Sequence, residues 1–118
     1  MGKKTSDLKL QIFTYSKKLV TACYVLTHDL PVDEKTGLIY YIRNAALKAH
    51  LTLVEGIFLD KKKVKKKFLR KAKNTFVVID AAVDVLIDVA LVKEEQTSDV
   101  IDTISICNQL LEKLLKES

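Results

Sequence analysis

The sequence predicts an all-α protein, an antiparallel up-down-up-down four-helix bundle forming a single domain over residues 1–118. The chain has only three Gly, one Pro and no Trp, whereas strands and turns usually need more Gly and Pro. Apolar residues recur at steps of three and four, the spacing of one helix face. A chain of this length buries roughly two thirds of its unfolded surface, enough for a stable core without staples.

Two amphipathic helices are predicted in the first half of the chain, over about residues 7–28 and 34–57. Residues 1–5 are polar and basic, so we expect them to be frayed. Pro31 disfavours helical geometry at the preceding residue, which ends the first helix near His28. Small residues in the middle of the apolar stripe of the second helix let another helix approach closely; they are Ala45, Ala46 and Ala49.

Two further helices are predicted over about residues 61–91 and 98–116. Asp60 is a candidate N-cap for the third helix, because its carboxylate can accept from the first free N–H groups. Residues 97–99, Thr-Ser-Asp, offer similar caps for the fourth. The connection between these helices is the polar segment 93–96.

The second half of helix three is apolar except for Asp80, Asp84 and Asp88. Its β-branched content could indicate strands, but the four-residue spacing of these aspartates makes one ridge on a helix. With so narrow a polar ridge, most sides of this segment need covering, and one bundle covers one face. The excess apolar surface therefore predicts a subunit interface, and we expect a ring-like homo-oligomer.

Cysteine usage and hydropathy indicate a cytoplasmic protein. Cys23 and Cys107 lie on apolar helical faces, which favours buried free thiols in a reducing compartment over the alternative of one disulfide. No apolar stretch follows the initial lysines, so no secretory signal is predicted. No run of about 18 apolar residues occurs, so no membrane-spanning helix is predicted.

No catalytic residue, metal ligand or cofactor site is predicted, and we expect a protein that is not an enzyme. His28 and His50 have no nearby Cys or Glu-x-x-His partner, so both are interpreted as structural. The aspartate ridge could suggest a carboxylate metal site, but such sites need Glu-x-x-His pairs. The preferred interpretation is a ridge that is solvated or pairs with lysines of a neighbouring subunit. Glu55 is a candidate for a buried, hydrogen-bonded carboxyl group.

The basic charge is concentrated in one patch. Nine of the 20 Lys and Arg residues lie between positions 61 and 73, leaving 11 basic against 15 acidic residues elsewhere. Lysines three and four apart on a helix repel each other by a few tenths of a kcal/mol per pair (about 0.2–0.5), and a polyanion would relieve this repulsion. The predicted phosphate contacts to RNA or DNA backbone are Lys61, Lys62, Lys63, Lys65, Lys66, Lys67, Arg70, Lys71 and Lys73.

Two other interpretations of the patch remain open. A membrane surface could attract the lysines, although the patch lacks the exposed apolar wedge of an interfacial helix. The lysines could also be a solvated face that serves solubility alone. Lysine-dominated charge without interleaved aromatic residues fits contacts to the nucleic-acid backbone and not reading of bases.

Several short segments resemble the four-helix-bundle proteins first found in 23S rRNA intervening sequences. That family has Phe/Leu-Pro and Gly-Leu before an Arg-Arg-Ala-Ala stretch, followed by Ile-Ala-Glu-Gly. The matching segments are LPVDEKTGL (30–38), IRNAA (42–46), VEG (54–56) and KFLR (67–70). The family's Ile-Pro-Ser-Asn is replaced here by AHLT (49–52), and the Glu expected in the middle of helix three is Ala81. The aromatic and Gly-rich features usual in the family's helix four are absent.

The same superfamily includes the accessory variability proteins of diversity-generating retroelements, which are basic and of similar size. The divergent second helix and the heavily basic third helix are more similar to that branch. The resemblance implies a homopentameric barrel without catalytic activity that binds nucleic acid and a reverse transcriptase. The alternative branch implies a structural or interaction protein that does not bind nucleic acid.

Overall fold

A computed structural model describes residues 2–31 and 37–117, with the backbone alone for residues 2–6. The described chain contains four α-helices and no strand, which confirms the predicted all-helical fold. A 3₁₀ helix, Glu94–Thr97, leads directly into the last α-helix. The four α-helices are α1 (Gly2–Thr27), α2 (Leu38–Ile57), α3 (Lys62–Asp88) and α4 (Ser98–Glu117).

The helices form an elongated four-helix bundle, with extents of 47 × 23 × 18 Å. Helix α1 packs against α2 and α4, and α2 also packs closely against α3. Two hydrogen bonds show that α1 and α2 run antiparallel, since a later residue of α1 meets an earlier one of α2. Ser16 bonds to His50, whereas Thr27 bonds to Arg43.

One apolar core runs through all four helices. The predicted stripes of α1, α2 and α4 are buried along most of their length. Full burial of a large apolar side chain contributes about 1.5–3 kcal/mol, so this continuous core is the main source of stability. The largest side chains that are fully buried include Ile12, Leu19, Ile42, Leu53, Leu69, Phe76, Ile79, Leu86, Leu111 and Leu114.

Gly56 permits the closest approach between α2 and α3. A Cβ atom added at this position would lie 2.6 Å from Cβ of Phe68. Any side chain there would therefore push the two helices apart at the end of the bundle where α3 begins.

The first two helices start at positions that differ from the predicted ones. Helix α1 begins at Gly2 and not at residue 7, so the polar residues expected to be frayed have helical backbone. Helix α2 begins at Leu38, with Gly37 at the N-cap position, and not at residue 34. The turn predicted over residues 32–36 lies outside the described residues. The C-terminal ends at Thr27 and Ile57 agree with the sequence analysis.

Helix α3 ends at Asp88, so the predicted end at residue 91 is wrong. Val89 is the C-cap residue, and Ala90 adopts the left-handed conformation with φ of 62°. The N–H groups of Ala90 and Leu91 then donate to the carbonyls of Ile87 and Leu86. This is a Schellman motif, which closes a helix and usually has Gly where Ala90 stands. The apolar periodicity continues through residue 91, so it does not reveal that the helix ends at Asp88.

The predicted side-chain caps of α3 and α4 are also wrong. Lys61 occupies the N-cap position of α3, and no side chain caps that helix. Thr97 and Ser98 donate their hydroxyls back to the carbonyls of Glu94 and Glu95. These bonds exist because the 3₁₀ helix supplies the turn before α4, where the sequence analysis had only a polar connection.

Both cysteines are buried and free, as the favoured interpretation predicted. Burial raises the pKa of the Cys23 thiol and of the Cys107 thiol to about 12 each, so both stay protonated and unreactive. Within the described residues, no helix is both long and apolar enough to cross a bilayer.

Candidate nucleic-acid interface

The nine basic residues of the predicted patch lie at the start of α3, at one end of the bundle, and point in several directions. Six of them are exposed, and Lys65, Lys66 and Lys73 are half-buried. The nine side chains therefore do not form one continuous surface. Instead, the helix distributes them over the outer face, the two sides that border neighbouring helices, and the end of the core.

The outer row of α3 consists of Lys63, Lys67 and Arg70. Their spacing of four and three residues places them on one face of the helix, and all three are exposed. No described acidic side chain lies within ion-pair distance of them. This row is therefore a line of uncompensated positive charge, directed away from the bundle.

Lys73 lies on the side of α3 that borders α4. Its Nζ atom is 3.2 Å from Oε1 of Glu112, and both side chains remain partly exposed. An exposed ion pair of this kind contributes little to stability, about 0–1 kcal/mol. Lys73 is therefore the one residue of the predicted patch whose charge the described part of the chain already pairs.

Lys65 faces the end of the core and meets Lys9 of α1. Burial lowers the pKa of Lys65, and the charge and side-chain contact of Lys9 lower it further, although Asp60 acts in the opposite direction. Partial burial beside a second ammonium group disfavours the charged form of Lys65. Lys9 is not among the predicted phosphate contacts. The antiparallel order of the helices, which places the start of α1 beside the start of α3, was the signal that could have found it.

Lys71 lies on the side of α3 that borders α2, where it faces a groove of about 350 Å³. Lys48 of α2 lines the same groove and is a second basic residue that the predicted site omitted. We call this feature the α2–α3 groove; its lining residues are Tyr41, Asn44, Ala45, Lys48, Lys71, Asn74, Thr75 and Val78.

Charge is separated between the two ends of the bundle. The antiparallel order collects the starts of α1 and α3 and the ends of α2 and α4 at one end. This basic end carries the nine residues of the patch together with Lys9, Lys113 and Lys116, against the acidic residues Asp7, Glu55, Asp60, Glu112 and Glu117. The opposite end carries Asp29, Asp80, Asp84, Asp88, Glu94, Glu95, Asp99 and Asp102, against the basic residues Arg43 and Lys93. Such a separation orients and attracts a polyanion toward one end of the protein.

Asp80, Asp84 and Asp88 are exposed on α3, as the solvated interpretation of the ridge predicts. Among the described residues, no group of three His, Cys, Asp or Glu side chains could hold a metal ion. Glu55 is exposed, so the expectation of a buried carboxyl group is wrong. It lies on the outer side of α2, although its neighbours Gly56 and Ile57 are buried.

The two histidines differ in their surroundings. His28 is exposed just after α1. His50 is half-buried, and its Nδ1 atom lies 2.6 Å from the Ser16 hydroxyl. Burial lowers the pKa of His50, and Lys17 contributes to the same direction. Since Ser16 is fully buried, this bond joins α1 to α2 and offers no accessible nucleophile.

The outer face of α3 is mixed in character beyond Asn74. Val77, Ala81 and Val85 lie there together with Asp84 and Asp88, and all five are exposed. Val77 is 59% exposed and Val89 is 54% exposed, next to the aspartate ridge. The predicted excess of apolar surface is thus present in the isolated chain.

A scan of the chain against protein-family models finds no match, and a search of the curated proteins finds no similar protein. The fold and the surface together define the class as a four-helix bundle with one basic end.

Proposed function

We propose that this protein is a non-enzymatic accessory protein that binds the backbone of RNA or DNA through the basic end of its bundle. The observation that carries this proposal is the outer row of Lys63, Lys67 and Arg70, exposed without an acidic partner among the described residues. A phosphate backbone offers closely spaced negative charges to such a row. Lys9 and Lys48 extend the positive surface onto α1 and α2.

Assembly as a ring-like homo-oligomer, with five copies as the specific expectation, is part of the proposal. The exposed Val77 and Val85 on the outer face of α3 support it, because exposed apolar side chains on one helix face suit contact with another subunit. A ring would repeat the basic end around its axis and present a continuous positive surface. Native mass spectrometry at micromolar concentration tests the assembly, and a monomer there contradicts it.

The proposed partner is a reverse transcriptase, for which this protein would hold nucleic acid. This step is supported by the resemblance of residues 30–38 and 42–46 to the superfamily that includes retroelement accessory proteins. The proposed location is the cytoplasm. A reverse-transcriptase gene next to the gene for this chain would favour that branch, whereas an rRNA locus around it would favour the other.

Filter binding to single- and double-stranded RNA and DNA over a salt series tests nucleic-acid binding. If about six charges contact phosphates, the affinity should fall about 10³-fold between 50 and 200 mM salt. Lys63/Lys67/Arg70→Glu should reduce affinity about 100-fold or more at low salt. The matched control is Lys17/Lys18/Lys93→Glu, which changes the net charge equally but leaves the outer row of α3 intact. No binding by the wild type, or equal losses in the two variants, rejects the proposal.

A second candidate is a structural or interaction protein with no role in nucleic-acid binding. The observation that favours it is the set of exposed apolar side chains outside α3, which includes Leu10 at 66% and Phe58 at 72% exposure. These side chains suit contact with another protein. In this case, the lysines would serve solubility, and affinity for nucleic acid would be absent at low salt.

A further inference from the structure

The α2–α3 groove has a composition that the basic patch as a whole lacks. Two rows of side chains face each other across it, each with steps of three or four residues. Helix α2 supplies Tyr41, Asn44 and Lys48, and helix α3 supplies Lys71 and Asn74. The groove thus combines two cations, two side-chain amides and one aromatic ring. The residues that line the groove come from two different helices, so no single stretch of the sequence shows their combination.

The polar side chains of the groove are available to a ligand. No described residue forms a hydrogen bond or ion pair with the side chains of Asn44, Asn74, Lys48 or Lys71. Thr75 donates its hydroxyl to the carbonyl of Lys71, which leaves only the acceptor capacity of that oxygen for a ligand. Tyr41 is 48% exposed and lines the groove.

We propose that the α2–α3 groove binds one nucleotide unit of a single-stranded nucleic acid, with its base against Tyr41 and its phosphate between Lys48 and Lys71. Tyr41 and Lys48 are two helical turns apart, or about 10 Å along α2, and the flexible lysine side chain shortens that span to the size of a nucleotide. The amides of Asn44 and Asn74 lie between them and can donate to or accept from a base edge.

The chemistry of the groove selects single strands over duplexes. Stacking on an aromatic ring requires a base face, and in a duplex both faces are already covered by neighbouring base pairs. The outer row of α3 is open to either form, because it meets backbone phosphates only. The inference rests on the proposed binding of nucleic acid and adds a subsite that distinguishes its forms.

Tyr41 and its neighbour Tyr40 provide a matched pair of variants. Both are exposed tyrosines in the first turn of α2, but Tyr40 is not part of the groove lining. Loss of base stacking typically weakens binding by about 5- to 150-fold per base. We expect Tyr41→Ala to weaken binding of a single strand of about ten nucleotides at least tenfold. Tyr41→Phe should retain most of the affinity, and Tyr40→Ala should change it less than twofold.

The experiment measures binding of three probes of one sequence: the single strand, its duplex and the free mononucleotide. Selective loss for the single strand in Tyr41→Ala supports the subsite, whereas equal affinity in Tyr41→Ala and Tyr40→Ala overturns it. Equal loss for single strand and duplex also overturns it. A mononucleotide that binds as tightly as the strand would show that the groove takes free nucleotides and would overturn the assignment to a strand.

A second readout reports the stack directly and does not depend on total affinity. A single strand with one 2-aminopurine base should lose fluorescence when this base stacks on Tyr41. The quenching should persist in Lys48/Lys71→Gln at saturating protein and disappear in Tyr41→Ala. If the wild type binds the strand through the outer row but no position of 2-aminopurine is quenched, the subsite is rejected and the proposed function stands. If the wild type binds no probe, both are rejected.

Discussion

The two halves of α3 are alike on the side that faces the core and differ in chemistry on the side that faces away from it. The buried row of Leu69, Ala72, Phe76, Ile79 and Val83 passes from one half to the other without interruption. On the outside, residues 62–73 carry Lys63, Lys67 and Arg70, whereas residues 75–88 carry Val77, Ala81 and Val85 beside the exposed ridge of aspartates. The fold therefore requires the inward row and leaves the outward chemistry free to vary.

Each outward surface is unfavourable for an isolated chain, but for a different reason. The first half brings lysines together at spacings where they repel each other. The second half keeps valines in contact with water. A polyanion relieves the first cost and an apolar protein surface relieves the second, so we expect the two halves to contact different partners.

The largest expected effect tests whether one core supports both halves. Phe76 is fully buried at the junction between them, and Phe76→Ala should lower the free energy of unfolding by about 3–5 kcal/mol. Phe58→Ala is the control with the same change of side chain, because Phe58 is 72% exposed and packs its ring against Phe13. Urea unfolding should show one transition in both variants. Two transitions in Phe76→Ala would mean that the halves of α3 unfold separately.

A smaller effect is expected from Lys63→Glu, which should stabilise the free protein and weaken its binding of nucleic acid. The first turn of α3 has no acidic residue, so a carboxylate there gains from the helix dipole. It also replaces repulsion from Lys67 by an attractive pair at four-residue spacing. Together these changes should add up to about 1 kcal/mol to the free energy of unfolding at low salt.

Lys116→Glu is the control for the effect of Lys63→Glu on stability. It changes the net charge equally, but it lies in the last turn of α4, where a negative charge is unfavourable. Thermal unfolding and filter binding should move in opposite directions for Lys63→Glu. If both the stability and the affinity of Lys63→Glu fall, the row is structural and the comparison between the two halves of α3 fails.

The fold could be predicted from the sequence because the spacing of apolar residues along each helix determines which side of that helix is buried. The stripes containing Ile12, Leu53 and Leu111 are buried as expected. Helix ends were less predictable, because they depend on backbone geometry that few residue types reveal. Ala90 occupies the left-handed position of a Schellman motif, where only Gly would have marked the stop.

The candidate site was only partly predictable, because its members come from different helices. The nine residues of the patch are contiguous and were found from charge alone. Lys9, Lys48 and Tyr41 join them only through the antiparallel packing of α1 and α2 against α3. The prediction that Glu55 is buried is wrong for a related reason, because its apolar neighbours in the sequence face a different side of the helix.

Ala90→Gly should stabilise the protein by about 1 kcal/mol, because Gly adopts the positive φ of this position without steric cost. The substitution lies just beyond the C-terminal end of α3, far from its basic half, so binding of nucleic acid should not change. Ala81→Gly is the control within the helix, where Gly should cost about 1 kcal/mol. Thermal unfolding compares the two, and a destabilised Ala90→Gly would contradict the described end of α3.

The smallest effect concerns the contact between α1 and α2, which lies outside α3. The pKa of His50 is lowered below 6.5 in the folded protein by burial and by Lys17. As the pH falls, the unfolded chain therefore takes up this proton before the folded protein does. The contribution of His50 is fully present above pH 6.5 and is lost as the pH falls through the folded pKa.

We therefore expect the free energy of unfolding to decrease between about pH 7 and pH 5, where histidine titrates and most carboxylates do not. His50→Gln removes the titrating group and keeps a polar side chain for Ser16, so its stability should change less over this interval. Urea unfolding at several pH values measures the wild type and His50→Gln. An unchanged slope in His50→Gln would show that other groups cause the loss, and the α1–α2 contact would then be insensitive to pH.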